Sequence, residues 1–195
     1  MSRKEEIKDF VIKKITSIEK ESKAGDGRVI LAQLRSCIGK KPGENPKIFG
    51  LLLQNMPETF YSKTGIATKE EWACFLALTL YALHQQGVDC ENESMNTNEN
   101  VSIGTAMKKF AMRQDDLNAK NRMQEKYKVL ATAIDIVALS NYLRSIIKLL
   151  KRENIKLNYA LLASDLYEIQ FDESKSKVIL RWGQDLYRYD KMEDL

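Results

Sequence analysis

Arg144, Lys148, Lys151 and Arg152 stand at i, i+4, i+7 and i+8, so on a helix they share one arc. Leu143, Ile146, Ile147 and Leu150 fill the neighbouring arc with apolar surface, and no acidic residue follows until Glu153. The four cations therefore have no acidic i, i+4 partner on their own helix. Like charges on one face repel, and an anion relieves that cost. The chemistry on offer is recognition of phosphate or carboxylate rather than bond making. Lys109 and Arg113 repeat the pattern four apart, opposite Met107 and Ala111, and Arg28 and Arg35 leave a further helix seven apart on one side. The opening segment shows the contrast: Lys4, Lys8, Lys13 and Lys14 are interleaved with Glu5, Glu6 and Asp9. Three surroundings suit unpaired stripes of this kind: the backbone of a nucleic acid, an acidic protein surface, and water alone.

Catalytic signatures are missing. The sequence holds no G-x-G-x-x-G, G-x-x-x-x-G-K-[ST], G-x-S-x-G or H-E-x-x-H. His84 is the one histidine, so no histidine metal cluster can form, and nothing pairs it with Cys37, Cys74 or Cys90. It reads as a hydrogen-bonded structural residue. The carboxylate pairs Glu70-Glu71 and Asp115-Asp116 sit at expected helix starts, where they favour the macrodipole. Trp72, Phe75 and Phe110 occupy core positions and form no stacking platform, so any nucleic-acid contact is expected at phosphates rather than bases. No enzyme activity, cofactor or metal is expected.

The elements that carry these residues have helical period almost throughout. Ile7, Phe10, Val11, Ile15 and Ile18 form one stripe of an opening helix that breaks at Gly25-Asp26-Gly27. Asp26 is placed to cap a helix over 28–38, with Gly39 as its stop. Asn45-Pro46 predicts an N-cap and N1 proline of a short helix ending before Pro57. Thr68 and Glu71 form a capping box opening a helix over 69–86. That helix is apolar on most sides through Trp72, Phe75, Leu76, Leu78, Leu80 and Leu83, and belongs at the centre. Residues 88–100 are polar and aperiodic, and predict a flexible loop. Beyond it, Ser102 can cap a helix over 103–113, and helices are expected over 117–137, 140–153 and 158–170. Val178-Ile179-Leu180 is the one strand-like run, and it leads into a short final helix.

The fold expected is therefore all-α, a compact bundle of about eight to nine helices in a single domain spanning 1–195. Its two packed halves, about 1–87 and 102–195, are joined by the polar loop 88–101. The 195 residues carry a net charge of +4, with 44% hydrophobic and 30% charged residues. Any nucleic-acid binding must then come from charge sorted onto one face. An odd cysteine count without C-x-x-C fits a reduced protein. The charged N-terminal residues lack a signal core, and the longest apolar run, Trp72 to Leu83, is too short to span a bilayer. A soluble cytoplasmic protein without membrane contact is expected.

Collinear motifs add a resemblance. Gly25 and Arg28 precede Leu31-Ala32-Gln33-Leu34-Arg35, and Pro42-Gly43-Glu44-Asn45-Pro46 follows. Ala82-Leu83-His84-Gln85, Ser102-Ile103-Gly104-Thr105-Ala106, Lys126-Tyr127, Leu143-Arg144…Leu149-Leu150 and Trp182-Gly183-Gln184-Asp185-Leu186-Tyr187 come next in order. Together they resemble the CasB family, the small subunit of the type I-E CRISPR surveillance complex called Cascade, over nearly the whole chain. Ser36 and Gln184 depart from that pattern, where arginine is frequent.

The resemblance implies an all-α, non-catalytic subunit that stabilises the R-loop, in which guide RNA pairs with one DNA strand and the other is displaced. It implies as partners the backbone and large subunits of Cascade, guide RNA, target DNA and a second copy of the chain. Sequence reading is then delegated to base pairing, and the protein needs only backbone contacts. The residues expected to provide them are Arg28, Arg35, Lys109, Arg113, Lys126, Arg144, Lys148, Lys151 and Arg152. The alternative is a helical protein–protein adaptor whose basic faces dock acidic partners.

Overall fold

A computed structural model describes residues 1–23, 26–90, 93–113 and 117–188. The fold is all-α. Its helices are α1 (Arg3–Lys23), α2 (Gly27–Arg35), α3 (Phe49–Leu53), α4 (Lys69–His84), α5 (Ile103–Arg113), α6 (Leu117–Ala131), α7 (Ile136–Arg152), α8 (Tyr159–Glu168) and α9 (Asp172–Tyr187). Single 3-10 turns cover Pro46–Ile48 and Glu58–Phe60. Gly25 and the Asp115-Asp116 pair lie outside the described residues.

α4 organises the bundle. Its N-terminus is closed by the expected capping box: Thr68 Oγ1 accepts from the Glu71 amide at 3.1 Å, and Glu71 Oε2 accepts from the Thr68 amide at 2.7 Å. Every residue from Ala73 to His84 is buried. The helix contacts α1, α2, α7 and α8, so apolar side chains on all its sides meet protein.

Asn45 also caps as expected, its Oδ1 accepting from the Lys47 amide at 3.3 Å ahead of Pro46. Asp26 occupies the N-cap position of α2 but makes no side-chain cap bond. Its φ of −83° and ψ of −21° are already helical rather than extended, which turns the carboxylate away from the N2 and N3 amides. α2 ends at Arg35, earlier than expected, and the chain continues in turns to Gly39.

Three other expectations are corrected. The helix expected over 117–137 ends at Ala131, and α7 starts at Ile136 rather than at 140. Asp135 is the cause: its Oδ1 accepts from the Ala138 amide at 2.7 Å, a new N-cap without a glycine or proline to announce it. Val178-Ile179-Leu180 is no strand. It lies inside the continuous helix α9, with Val178 buried and Leu180 62% exposed, as successive residues on one helix must diverge.

The segment expected to be a flexible loop is tied down where it is described. Gln85 Nε2 donates to the carbonyls of Val88 and Glu93 at 3.2 and 2.8 Å, and Gln85 Oε1 accepts from the Met95 amide at 2.8 Å. Met95 is fully buried, and its carbonyl accepts from the Leu157 amide at 3.1 Å. The polarity of this stretch supplies internal hydrogen bonds instead of solvation.

Candidate nucleic-acid interface

α7 is rotated into place by its apolar stripe. Leu139, Leu143, Ile146, Ile147 and Leu150 are buried, and the helix packs on α4, α5 and α6. Burying that stripe leaves Arg144, Lys148 and Arg152 on the opposite, exposed side, one turn apart. None of the three makes a hydrogen bond or ion pair with a described residue. Lys151 lies at the edge of the stripe, half-buried, and its Nζ donates to Gln86 Oε1 at 3.3 Å.

Arg35 approaches the same place from α2. With Leu31 and Leu34 buried against α4, its side chain lies along the C-terminal end of that helix, Nη1 at 3.5 Å from the Ala82 carbonyl. Cations are favoured there by the helix dipole and by carbonyls that lack intrahelical donors. Partial burial depresses the Arg35 guanidinium, and it depresses the Lys151 ammonium with the charge of Arg35 adding to the effect. Two like charges are thus held together at the end of α4. Arg28 is exposed one face-repeat earlier on α2 and, with Arg35, lines a groove whose other wall runs from Gln85 to Val88 and includes the acidic Asp89.

The remaining predicted cations surround α7 unevenly. Lys126 reaches across from α6 to Ser145 Oγ at 3.4 Å, next to Arg144. The Arg113 guanidinium donates to the Glu153 carbonyl, which brings it to the C-terminal end of α7 beside Arg152. Lys109 is exposed on α5 with no hydrogen bond or ion pair to a described residue. Sequence reasoning missed the convergence of Arg35 and Lys151, because nothing local links residues at opposite ends of the chain.

His84, Cys37 and Cys74 are buried, whereas Cys90 is half-buried. His84 Nδ1 shares a hydrogen bond with Tyr159 Oη at 3.0 Å, and burial, reinforced by the Lys151 charge, pushes its pKa down to about 4. Its neutral ring packs edge-on against Tyr159. Burial pushes the Cys74 thiol far above its ordinary value, so no thiolate is available there. Among the described residues, no group of three or more His, Cys, Asp or Glu side chains could hold a metal ion. No described helix is long and apolar enough to cross a membrane.

Most of the motif residues have internal uses. Ser102 Oγ accepts from the Thr105 amide at 3.1 Å and donates to Asp185 Oδ2 at 2.5 Å. Tyr127 Oη donates to the Ile179 carbonyl at 2.6 Å, tying α6 to α9. Trp182 is buried and donates through Nε1 to Asp165 Oδ2 at 2.6 Å. Ser36 donates to the Gln33 carbonyl at 2.7 Å and accepts from Asn45 Nδ2 at 3.1 Å, a turn contact that arginine would not make. What packing does not account for are the exposed arginines and lysines on α2 and α7.

Fold and surface together define a class: a compact helical bundle with a buried histidine and unpaired cations on exposed helix faces. A sequence model of the CRISPR-associated protein Cse2 family matches residues 30–187, and the chain belongs to that family. The crystal structure of CasB from Thermobifida fusca is similar, with 25% identity and a TM-score of 0.75, covering 94% of this chain and 98% of that one. No curated protein matches the chain. Family membership supports a role as a subunit of Cascade.

Proposed function

We propose that this chain is the small, non-catalytic subunit of a cytoplasmic, type I-E, guide-RNA-directed DNA surveillance complex. Its basic helical faces hold nucleic-acid backbone and stabilise the R-loop. The observation that carries this reading is the row Arg144, Lys148 and Arg152: three exposed cations one turn apart, without acidic partners, in a member of the Cse2 family. Solvated helix faces usually intersperse both signs, as α1 does with its Lys13–Asp9 pair at 2.7 Å. A row of one sign costs repulsion that phosphates relieve. Guide RNA and target DNA are the nucleic-acid partners in this reading. The backbone and large subunits and a second copy of the chain are its protein partners.

The test is target-DNA binding by complexes assembled with wild-type or Arg144→Ala/Lys148→Ala subunit, at several salt concentrations. Both residues are exposed, so folding and assembly should survive. Affinity should fall, and the salt slope should drop by about one unit per lost phosphate contact. Unchanged affinity and slope would reduce the row to a solvated face.

A protein–protein adaptor is the second reading. It is favoured by Ile134, 86% exposed in the turn between α6 and α7, with Val137 also exposed beside it. Failure of the doubly substituted subunit to assemble would support it, with the cations docking an acidic protein surface.

A further inference from the structure

α6 carries a cation that the stripes on the other helices do not announce. Met123, Ala119 and Leu130 form its buried seam. The two flanks of that seam are fixed by contacts. On one flank Tyr127 bonds the Ile179 carbonyl of α9; on the other Lys126 reaches Ser145 of α7. Arg122 precedes Lys126 by one turn, so it stands on the α7 flank. It is exposed and makes no hydrogen bond or ion pair with a described residue. Lys128 falls on the other side of the helix and is paired with Glu125 at 2.7 Å.

Only residues 132–135 separate α6 from α7, so the two helices form an antiparallel hairpin. The Lys126–Ser145 contact fixes its register. Moving one turn back along α6 reaches Arg122, and one turn forward along α7 from Ser145 reaches Lys148 and Leu149. The exposed ridge of α7 is therefore bordered on both sides by cations. Arg35 meets Lys151 on the α4 side, and Lys126 and Arg122 line the α6 side.

Resting on the function proposed above, we infer that Arg122 completes a phosphate track running from Arg28 and Arg35 on α2, over Arg144 and Lys148 on α7, to Lys126 and Arg122 on α6. Packed helices lie about 8–10 Å apart; α6 packs on α7, and α7 and α2 both pack on α4, so the track spans roughly 20 Å. The ridge from Arg144 to Arg152 adds about 12 Å along its axis. A mononucleotide covers one or two of these cations, whereas a polynucleotide strand can engage all of them. The ligand class is a nucleic-acid strand bound through its backbone. The absence of stacking aromatics among these residues makes the track indifferent to base identity.

The test measures binding of the full-length chain to a fluorescent single-stranded DNA of mixed sequence by anisotropy across a salt series. Wild type, Arg122→Gln, Lys128→Gln and Arg144→Gln/Lys148→Gln are compared. Circular dichroism checks that each variant folds; both single substitutions are at exposed positions. Arg122→Gln is expected to weaken binding several-fold and to lower the salt slope by about 0.7, the value for one phosphate contact on a single strand. Lys128→Gln should bind as wild type does. If Arg144→Gln/Lys148→Gln weakens binding and Arg122→Gln does not, the track ends at α7 and the inference is overturned. Equal losses from Arg122→Gln and Lys128→Gln would overturn it too, as an effect of net charge alone. If the wild-type chain does not bind the strand, or the α7 variant binds it unchanged, the underlying functional reading falls and the track with it.

Discussion

Gly104 presses against the carbonyl of Trp182 so closely that a Cβ at position 104 would lie 2.0 Å from that oxygen. α5 and α9 meet there backbone to backbone. Gly183 faces a side chain instead, with a Cβ reaching 2.5 Å from Tyr127 Oη. The obstacle at Gly104 is main chain rather than the end of a flexible side chain, so the helices themselves would have to separate. Gly104→Ala is expected to destabilise by about 1–3 kcal/mol or more, at the upper end of overpacking costs. Urea melts measure it, and a change below about 0.5 kcal/mol would mean that the α5–α9 contact is loose.

Beneath that contact, Asp165 is buried and accepts from Trp182 while bridging to Arg181. Both partners favour the ionised form, but burial outweighs them and pushes the carboxyl up to about 6 from an ordinary 3.8. The folded state therefore holds this proton more tightly than the unfolded chain. The resulting stability is fully present below about 3.8 and is lost as pH rises through about 6. Melting curves of wild type and Asp165→Asn across that window isolate the effect from other carboxylates. The difference between them should shift in favour of the wild type as pH falls from above 6 towards 4; a pH-independent difference would show that Asp165 remains ionised throughout.

Gln85 offers a third test, because one side chain serves three backbone groups. Replacing it with alanine leaves the Met95 amide and the carbonyls of Val88 and Glu93 without their partner. A loss of about 1–3 kcal/mol is expected from the buried groups left unpaired. Limited proteolysis should cut first within 88–101, since local opening there becomes easier. Unaltered cleavage would show that Met95 packing alone holds the segment.

Local chemistry was legible in the sequence wherever partners lie within one turn. The Thr68–Glu71 box, the Asn45 and Ser102 caps and the apolar girth of α4 need only a helical period to be recognised. Asp135 was passed over because the apolar pattern runs on through Ala131 and Ala133 without a breaker. The polar run after Gln85 reads as solvated because its hydrogen bonds go to groups the sequence does not place beside it. The basic residues on α7 were visible as a stripe. Arg122 was not, since Glu125 and Lys128 beside it make α6 look evenly mixed. The meeting of Arg35 with Lys151 depends on α2 and α7 both packing on α4, a tertiary fact with no local signal.

That meeting separates a binding role for Lys151 from a structural one. The ammonium is partly desolvated and lies close to the Arg35 charge, both of which disfavour it. Against this stand one hydrogen bond to Gln86 and the favourable end of the α4 dipole. Lys151→Met keeps the stem that packs at the edge of the α7 stripe and removes the charge. If repulsion outweighs the single exposed hydrogen bond, thermal stability should hold or rise slightly while nucleic-acid affinity falls and its salt slope shrinks. Gains in stability coupled to losses in binding mark a position kept for its ligand rather than for the fold. Differential scanning calorimetry and a salt-series titration on the same preparation supply both readouts. A lowered melting temperature with unchanged affinity would assign Lys151 to closing the end of α4, and would leave phosphate contact to Arg144, Lys148 and Arg152.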